Sequence, residues 1–166
     1  MKTELMDGMI EAALSGRGID RDQAEGLGDL SHDELDYLFQ GTVKVREKFK
    51  HQDIKICSIV NAKSGKCPED CGFCAQSSTF QTDSPEYSLM SVEEILKSAK
   101  EAEAFGSNEF SIVASGTNID DPKELAVLKE SIRRIKSETS LEVCCSLGLM
   151  SVENLKELKS AGLDRC

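Results

Sequence analysis

The sequence predicts an α/β fold: a set of helices over residues 1–53, then strands and helices in alternation over 54–166. Three observations predict it. Apolar residues in the first fifty positions recur at helical spacing, with turn and capping signals between them. Beyond them, three short β-type runs, Ile54–Val60, Glu109–Ser115 and Leu141–Leu147, are each followed by an amphipathic helical pattern. The strand-to-strand intervals are long enough for right-handed crossovers, so the sheet is parallel.

The elements follow in order. Leu5, Met6, Met9, Ile10 and Ala13 define a first helix, which Gly16 and Gly18 end. Asp20 caps a short second helix reaching Leu27. Ser31 to Glu34 is a capping box ahead of Leu35, Leu38 and Phe39, and the helix extends through Val43, Arg46 and Phe49 past a weak point at Gly41. The apolar residues of these helices read as core, and the helices as a cap on a larger domain. Strand one precedes a cysteine-rich loop. Ser91 and Glu94 form another capping box before Val92, Ile95, Leu96, Ala99 and Ala102, and that helix ends near Gly106. After strand two, Asp121 and Pro122 are an N-cap and a first-turn proline for the helix of Leu125, Leu128, Ile132 and Ile135. After strand three, Ser151 caps a helix carrying Leu155 and Leu158, closed by Gly162. Leu163 to Cys166 reads as the start of a fourth strand, giving about three and a half β/α units.

Composition narrows the function. The 166 residues are 39% hydrophobic and 30% charged, as in a soluble globular chain. A net charge of −10 argues against nucleic acid or an anionic membrane as partner. No apolar run approaches the roughly 20 residues of a membrane span, and the N-terminus lacks the layout of a signal peptide. Seven cysteines in such a chain point to a reducing, cytoplasmic setting and to metal or redox chemistry.

The chemistry centres on Asn61–Ser78, NAKSGKCPEDCGFCAQSS. Cys67, Cys71 and Cys74 are spaced C-x3-C-x2-C, tight enough to wrap one metal centre from a single loop. Pro68 and Gly72 keep the loop from becoming a plain helix. His32 and His51 lie outside it. Iron–sulfur clusters and structural zinc sites normally take four protein ligands. Three thiolates on a four-iron cluster leave one iron open to a reactant. A structural zinc knuckle is the plainer reading, but no fourth protein ligand is evident.

This loop resembles that of the radical S-adenosylmethionine enzymes, and within them the biotin synthases. The resemblance continues through EFSIVASG (109–116), LEVCCSLG (141–148) and AGLDR (161–165), and covers nearly everything from about Leu35 onward. It implies a partial TIM-type barrel, with this chain as the front part of a longer enzyme. It implies that Cys67, Cys71 and Cys74 bind a 4Fe–4S cluster and that its open iron binds S-adenosylmethionine. Phe73 would lie against the adenine, or else simply pack the loop. Backbone near Ala114 would meet the methionine end. The implied reaction is radical insertion of sulfur into dethiobiotin, with a small flavodoxin- or ferredoxin-type electron donor and a homodimer in the full-length form.

One departure is visible. The family's second cluster, of 2Fe–2S type, takes a cysteine from strand two, one from strand three and further ligands beyond. Cys144 matches on strand three, but Ser111 stands at the strand-two position. Serine oxygen is a poorer ligand for iron–sulfur centres than thiolate, so an auxiliary cluster would need a different ligand set. Cys57 and Cys145 read as small core residues. Related radical enzymes without sulfur insertion, of methylornithine-synthase or hydrogenase-maturase type, and a non-catalytic iron–sulfur-binding chain are the alternatives.

Overall fold

The computed structural model describes residues 2–50 and 54–166; His51 and the rest of the expected junction between helices and sheet lie outside the described residues. The chain forms two compact units, Met1–Ile54 and Lys55–Cys166.

The first unit contains α1 (Lys2–Leu14), α2 (Arg21–Gly26), a 3-10 turn (Leu27–Asp29) and α3 (His32–Lys50). Asp20 accepts from the Gln23 amide and Gln23 reaches back to the Asp20 amide, a reciprocal cap on α2. Glu34 accepts from both the amide and the hydroxyl of Ser31 at 2.8 Å. Helix α3 runs unbroken through Gly41, which is buried. A Cβ at Gly41 would run into the end of the Ile10 side chain, so glycine there permits α1 and α3 to approach closely and does not weaken a boundary. Lys48 donates to the Leu14 carbonyl at 2.7 Å, satisfying the C-terminal end of α1.

The second unit alternates β1 (Cys57–Lys63), α4 (Val92–Ala104), β2 (Glu109–Ala114), α5 (Pro122–Glu138), β3 (Glu142–Ser146) and α6 (Val152–Ala161). The three strands are parallel in the order β1-β2-β3. Ser91, Asp121 and Ser151 cap their helices as expected, and Gly162, at φ +111°, ends α6 in the left-handed conformation. One face of the sheet packs on the helices. Phe110, Ile112, Val143 and Cys145 are buried there against Ile95, Leu128, Ile132, Ile135 and Leu158.

Strand one starts and ends three residues later than expected. Ile54 is 78% exposed. Its apolar neighbour Ile56 meets the start of β2 outside the strand ladder: its carbonyl accepts from the Asn108 and Glu109 amides, and its amide donates to the Asn108 side chain at 3.0 Å. Pairing with β2 instead draws Asn61 to Lys63 into the strand, with an irregularity between Asn61 and Lys63. At the far edge, the Asp164 and Arg165 amides donate to the Val143 carbonyl, and Arg165 forms one parallel bridge with Cys144. The expected fourth strand is thus a single bridge beside β3. Among the described residues, no helix is long and apolar enough to cross a membrane.

Candidate cofactor site

The loops that follow the three strands come together at the C-terminal ends of the sheet. Leaving β1, the chain turns through Gly65 and Lys66, at φ +78° and +53°, and delivers Cys67. The long excursion to α4 is closed at its base by paired backbone bonds between Ser64 and Tyr87, and the Tyr87 hydroxyl donates to the Asn61 carbonyl at 2.7 Å. Within it, the Cys67 amide donates to the Gln76 carbonyl at 3.1 Å. The Cys67 carbonyl accepts from the Ser78 amide and hydroxyl at 2.8 and 2.9 Å. The Cys74 amide donates to the Cys71 carbonyl at 2.9 Å, a tight inner turn. The loop is therefore held by its own backbone.

All three thiols are free: Cys67 is buried, Cys74 half-buried and Cys71 exposed. Phe73 is fully exposed beside them. Among the described residues, no three histidine, cysteine or acidic side chains converge as they would around a single metal ion. What the loop offers is a soft, all-thiol donor set of the kind that suits an iron–sulfur centre.

The neighbouring strand ends brace this loop. Ala114, the last residue of β2, is buried opposite Lys63. The Ser115 amide donates to the Lys63 carbonyl, and its buried hydroxyl to the Gly65 carbonyl at 2.8 Å. Thr117 donates to the Glu69 carboxylate at 2.6 Å, and the Leu149 amide donates to the Thr117 carbonyl at 2.7 Å. Lys63 and Glu124, 2.7 Å apart and half-buried, join the end of β1 to the first turn of α5. Sequence reasoning did not single out Thr117, Glu69 or Ser115. They follow no periodicity, and hydroxyls flanking Gly116 at a strand end are the only signal.

Ser111 and Cys144 lie deeper, in mid-sheet, away from the cysteine loop along their strands. They are direct neighbours across β2 and β3, in one row with Ile59 and Arg165 on the face opposite the helices. Ser111 is buried and Cys144 half-buried. Arg165 pairs with Glu109 and, at 3.3 Å, with Glu142; Lys55 contacts both acids, at 3.4 and 3.0 Å. The Arg165 hydrogen bond holds the Glu109 carboxyl below the usual carboxylate range. Glu109 and Cys144 together push the Arg165 guanidinium further up. Cys145 is buried on the helix side as expected, and burial pushes its thiol up to about 12. Cys57 is not a core residue: it shares the open face with Ile59 at the edge of the sheet and is exposed.

Comparison with known proteins fits this arrangement. The Radical SAM superfamily model matches residues 62–166, which take in the cysteine loop and both later strands. The chain belongs to the radical SAM superfamily. Membership implies S-adenosylmethionine and a 4Fe–4S cluster as cofactors. Among curated relatives, the biotin synthase of Anaeromyxobacter dehalogenans is 47% identical over 131 residues, covering 78% of this chain and 36% of its own length. That of Citrifermentans bemidjiense is 39% identical over 161 residues, covering 97% and 49%. The chain thus spans between about a third and a half of these relatives. Two solved structures share the fold. Methylornithine synthase superposes with a TM-score of 0.73 at 19% identity over 93% of this chain and 45% of its own. A maturase of the FeFe-hydrogenase superposes at 0.76, with 21% identity over 97% and 36%.

Proposed function

We propose that this chain carries the cofactor-binding part of a biotin synthase, acting in the cytoplasm on dethiobiotin. The observation that carries the reading is the C-x3-C-x2-C loop at the end of the first strand, in a chain 39–47% identical to biotin synthases of two bacteria. The three β/α units are the front of a TIM-type barrel, and residues 1–53 its helical cap. Cys67, Cys71 and Cys74 hold the 4Fe–4S cluster, and the braced backbone of the loop sets their separation. Exposed Phe73 offers a flat apolar surface to the adenine, and the backbone around Ala114 meets the methionine end. When bound, the reduced cluster supplies the electron that splits S-adenosylmethionine into methionine and a hydrogen-abstracting 5′-deoxyadenosyl radical. A small flavodoxin- or ferredoxin-type protein delivers that electron, and the full-length enzyme is a homodimer.

One observation favours a second reading. Ser111 faces Cys144 across the strands where the family places a cysteine pair. With one thiol lost there, the 2Fe–2S sulfur donor is not assembled in its usual form. Either an auxiliary cluster uses Cys144 with other ligands, or the chain belongs to a related radical enzyme that inserts no sulfur. Anaerobic reconstitution, reduction and assay for 5′-deoxyadenosine with and without dethiobiotin test the proposal. Cofactor cleavage stimulated by dethiobiotin supports it. Cleavage indifferent to dethiobiotin moves the function to the related enzymes, and no cleavage leaves a non-catalytic iron–sulfur protein.

A further inference from the structure

Between the first two cysteines, the side chain that ties the cysteine loop to its surroundings is Glu69. Its backbone carbonyl accepts from the buried Ser77 hydroxyl within the loop. Its carboxylate accepts from Thr117, 2.6 Å away, on the loop that follows β2. Thr117 is itself held: the Leu149 amide, on the loop after β3, donates to its carbonyl at 2.7 Å. Gly148, at φ +76°, lets the two loops touch, because a Cβ there would run into the Thr117 carbonyl. A single threonine therefore links the segment between Cys67 and Cys71 to the ends of two further strands.

We propose that Thr117 is a positioning residue for the iron–sulfur cluster: through Glu69 it clamps the Cys67–Cys71 segment to the strand ends that face the cofactor. The inference rests on the reading of the loop as a cluster site. A hydrogen bond to a carboxylate is directional and stronger than a neutral one. It fixes where Cys71 sits relative to Cys67, and does so without touching the metal. The clamp needs only a hydroxyl donor at 117 and an oxygen acceptor at 69.

The test is the release of iron to a chelator from the anaerobically reconstituted full chain, with the electron paramagnetic resonance of the reduced cluster recorded alongside. Thr117→Val and Glu69→Ala are each expected to release iron about fivefold faster than wild type and to alter the resonance line shape, the scale expected of one partly exposed charged hydrogen bond. The melting temperature should be nearly unchanged. Thr117→Ser keeps the donor and is expected to restore the wild-type rate; Glu69→Gln keeps an oxygen acceptor without the charge and is expected to fall between wild type and Glu69→Ala. The double variant should be no worse than either single. Wild-type rates in Thr117→Val and Glu69→Ala, or a Thr117→Ser protein as labile as Thr117→Val, overturn the clamp while leaving the cluster site intact. A wild-type chain that takes up no cluster overturns the reading of the loop and the clamp with it.

Discussion

Glycine and cysteine show how far single residues can be read. Gly148 has two reasons to be glycine: a positive φ and the Thr117 carbonyl against its missing side chain. Gly148→Ala is expected to destabilise the protein by about 2 kcal/mol or more, measured by denaturant unfolding, since backbone cannot yield as a side chain can. Gly41→Ala meets only the flexible end of Ile10, and is expected to cost about 1–3 kcal/mol as a small overpacking defect. Neither reason was legible in the sequence, where Gly41 reads as a weak point in a helix, because both depend on which distant residue arrives. The cysteines divide the same way. Cys145 and Cys57 look alike in sequence, but strand parity and edge position bury one and expose the other. The C-x3-C-x2-C spacing was legible, since it is local; the Thr117 tether, which spans 48 positions, was not.

At the level of elements, caps were the most readable signals because they are completed within a few residues. Ser91 accepts from the Glu94 amide, and Glu94 accepts from the Ser91 amide and hydroxyl. Ser91→Ala should cost about 1 kcal/mol in the same unfolding measurement. The hydrogen bonds from Ser91 also hold the Glu94 carboxyl below its ordinary value. A carboxyl depressed in the folded state contributes stability that is present above its unfolded value and lost as pH falls through the folded one. Acid unfolding of wild type is thus expected to include a component in the low carboxylate range that Glu94→Gln lacks; identical pH profiles for the two would refute it. Strand ends were less legible than caps. The apolar Ile54 and Ile56 suggested an early start to β1, but partner register with β2 sets its span as Cys57–Lys63. Strand alternation puts Ile59, Ser111, Cys144 and Arg165 in one row on the face opposite the helices.

For the whole molecule, the sheet has a covered face and an open one. Ile59 on the edge strand is 68% exposed, and Ile56 and Leu149 are exposed as well. Unpaired edges and apolar surface of this kind favour self-association. The 166-residue chain expressed alone is expected to run as oligomers or aggregates in light scattering, and a monodisperse monomer with a cooperative melt would contradict this. The chain spans about a third to a half of its relatives and has Ser111 opposite Cys144. All of this depends on what the loop at the end of β1 holds. The most direct measurement is iron and sulfide per chain after anaerobic reconstitution, for wild type and for Cys67→Ala, Cys71→Ala and Cys74→Ala, with zinc offered in competition. About four irons and matching sulfide in wild type, with the brown absorbance lost in each variant, is the expected result. Tight zinc binding without a cluster, or a cluster that survives the loss of Cys71, would contradict the assignment.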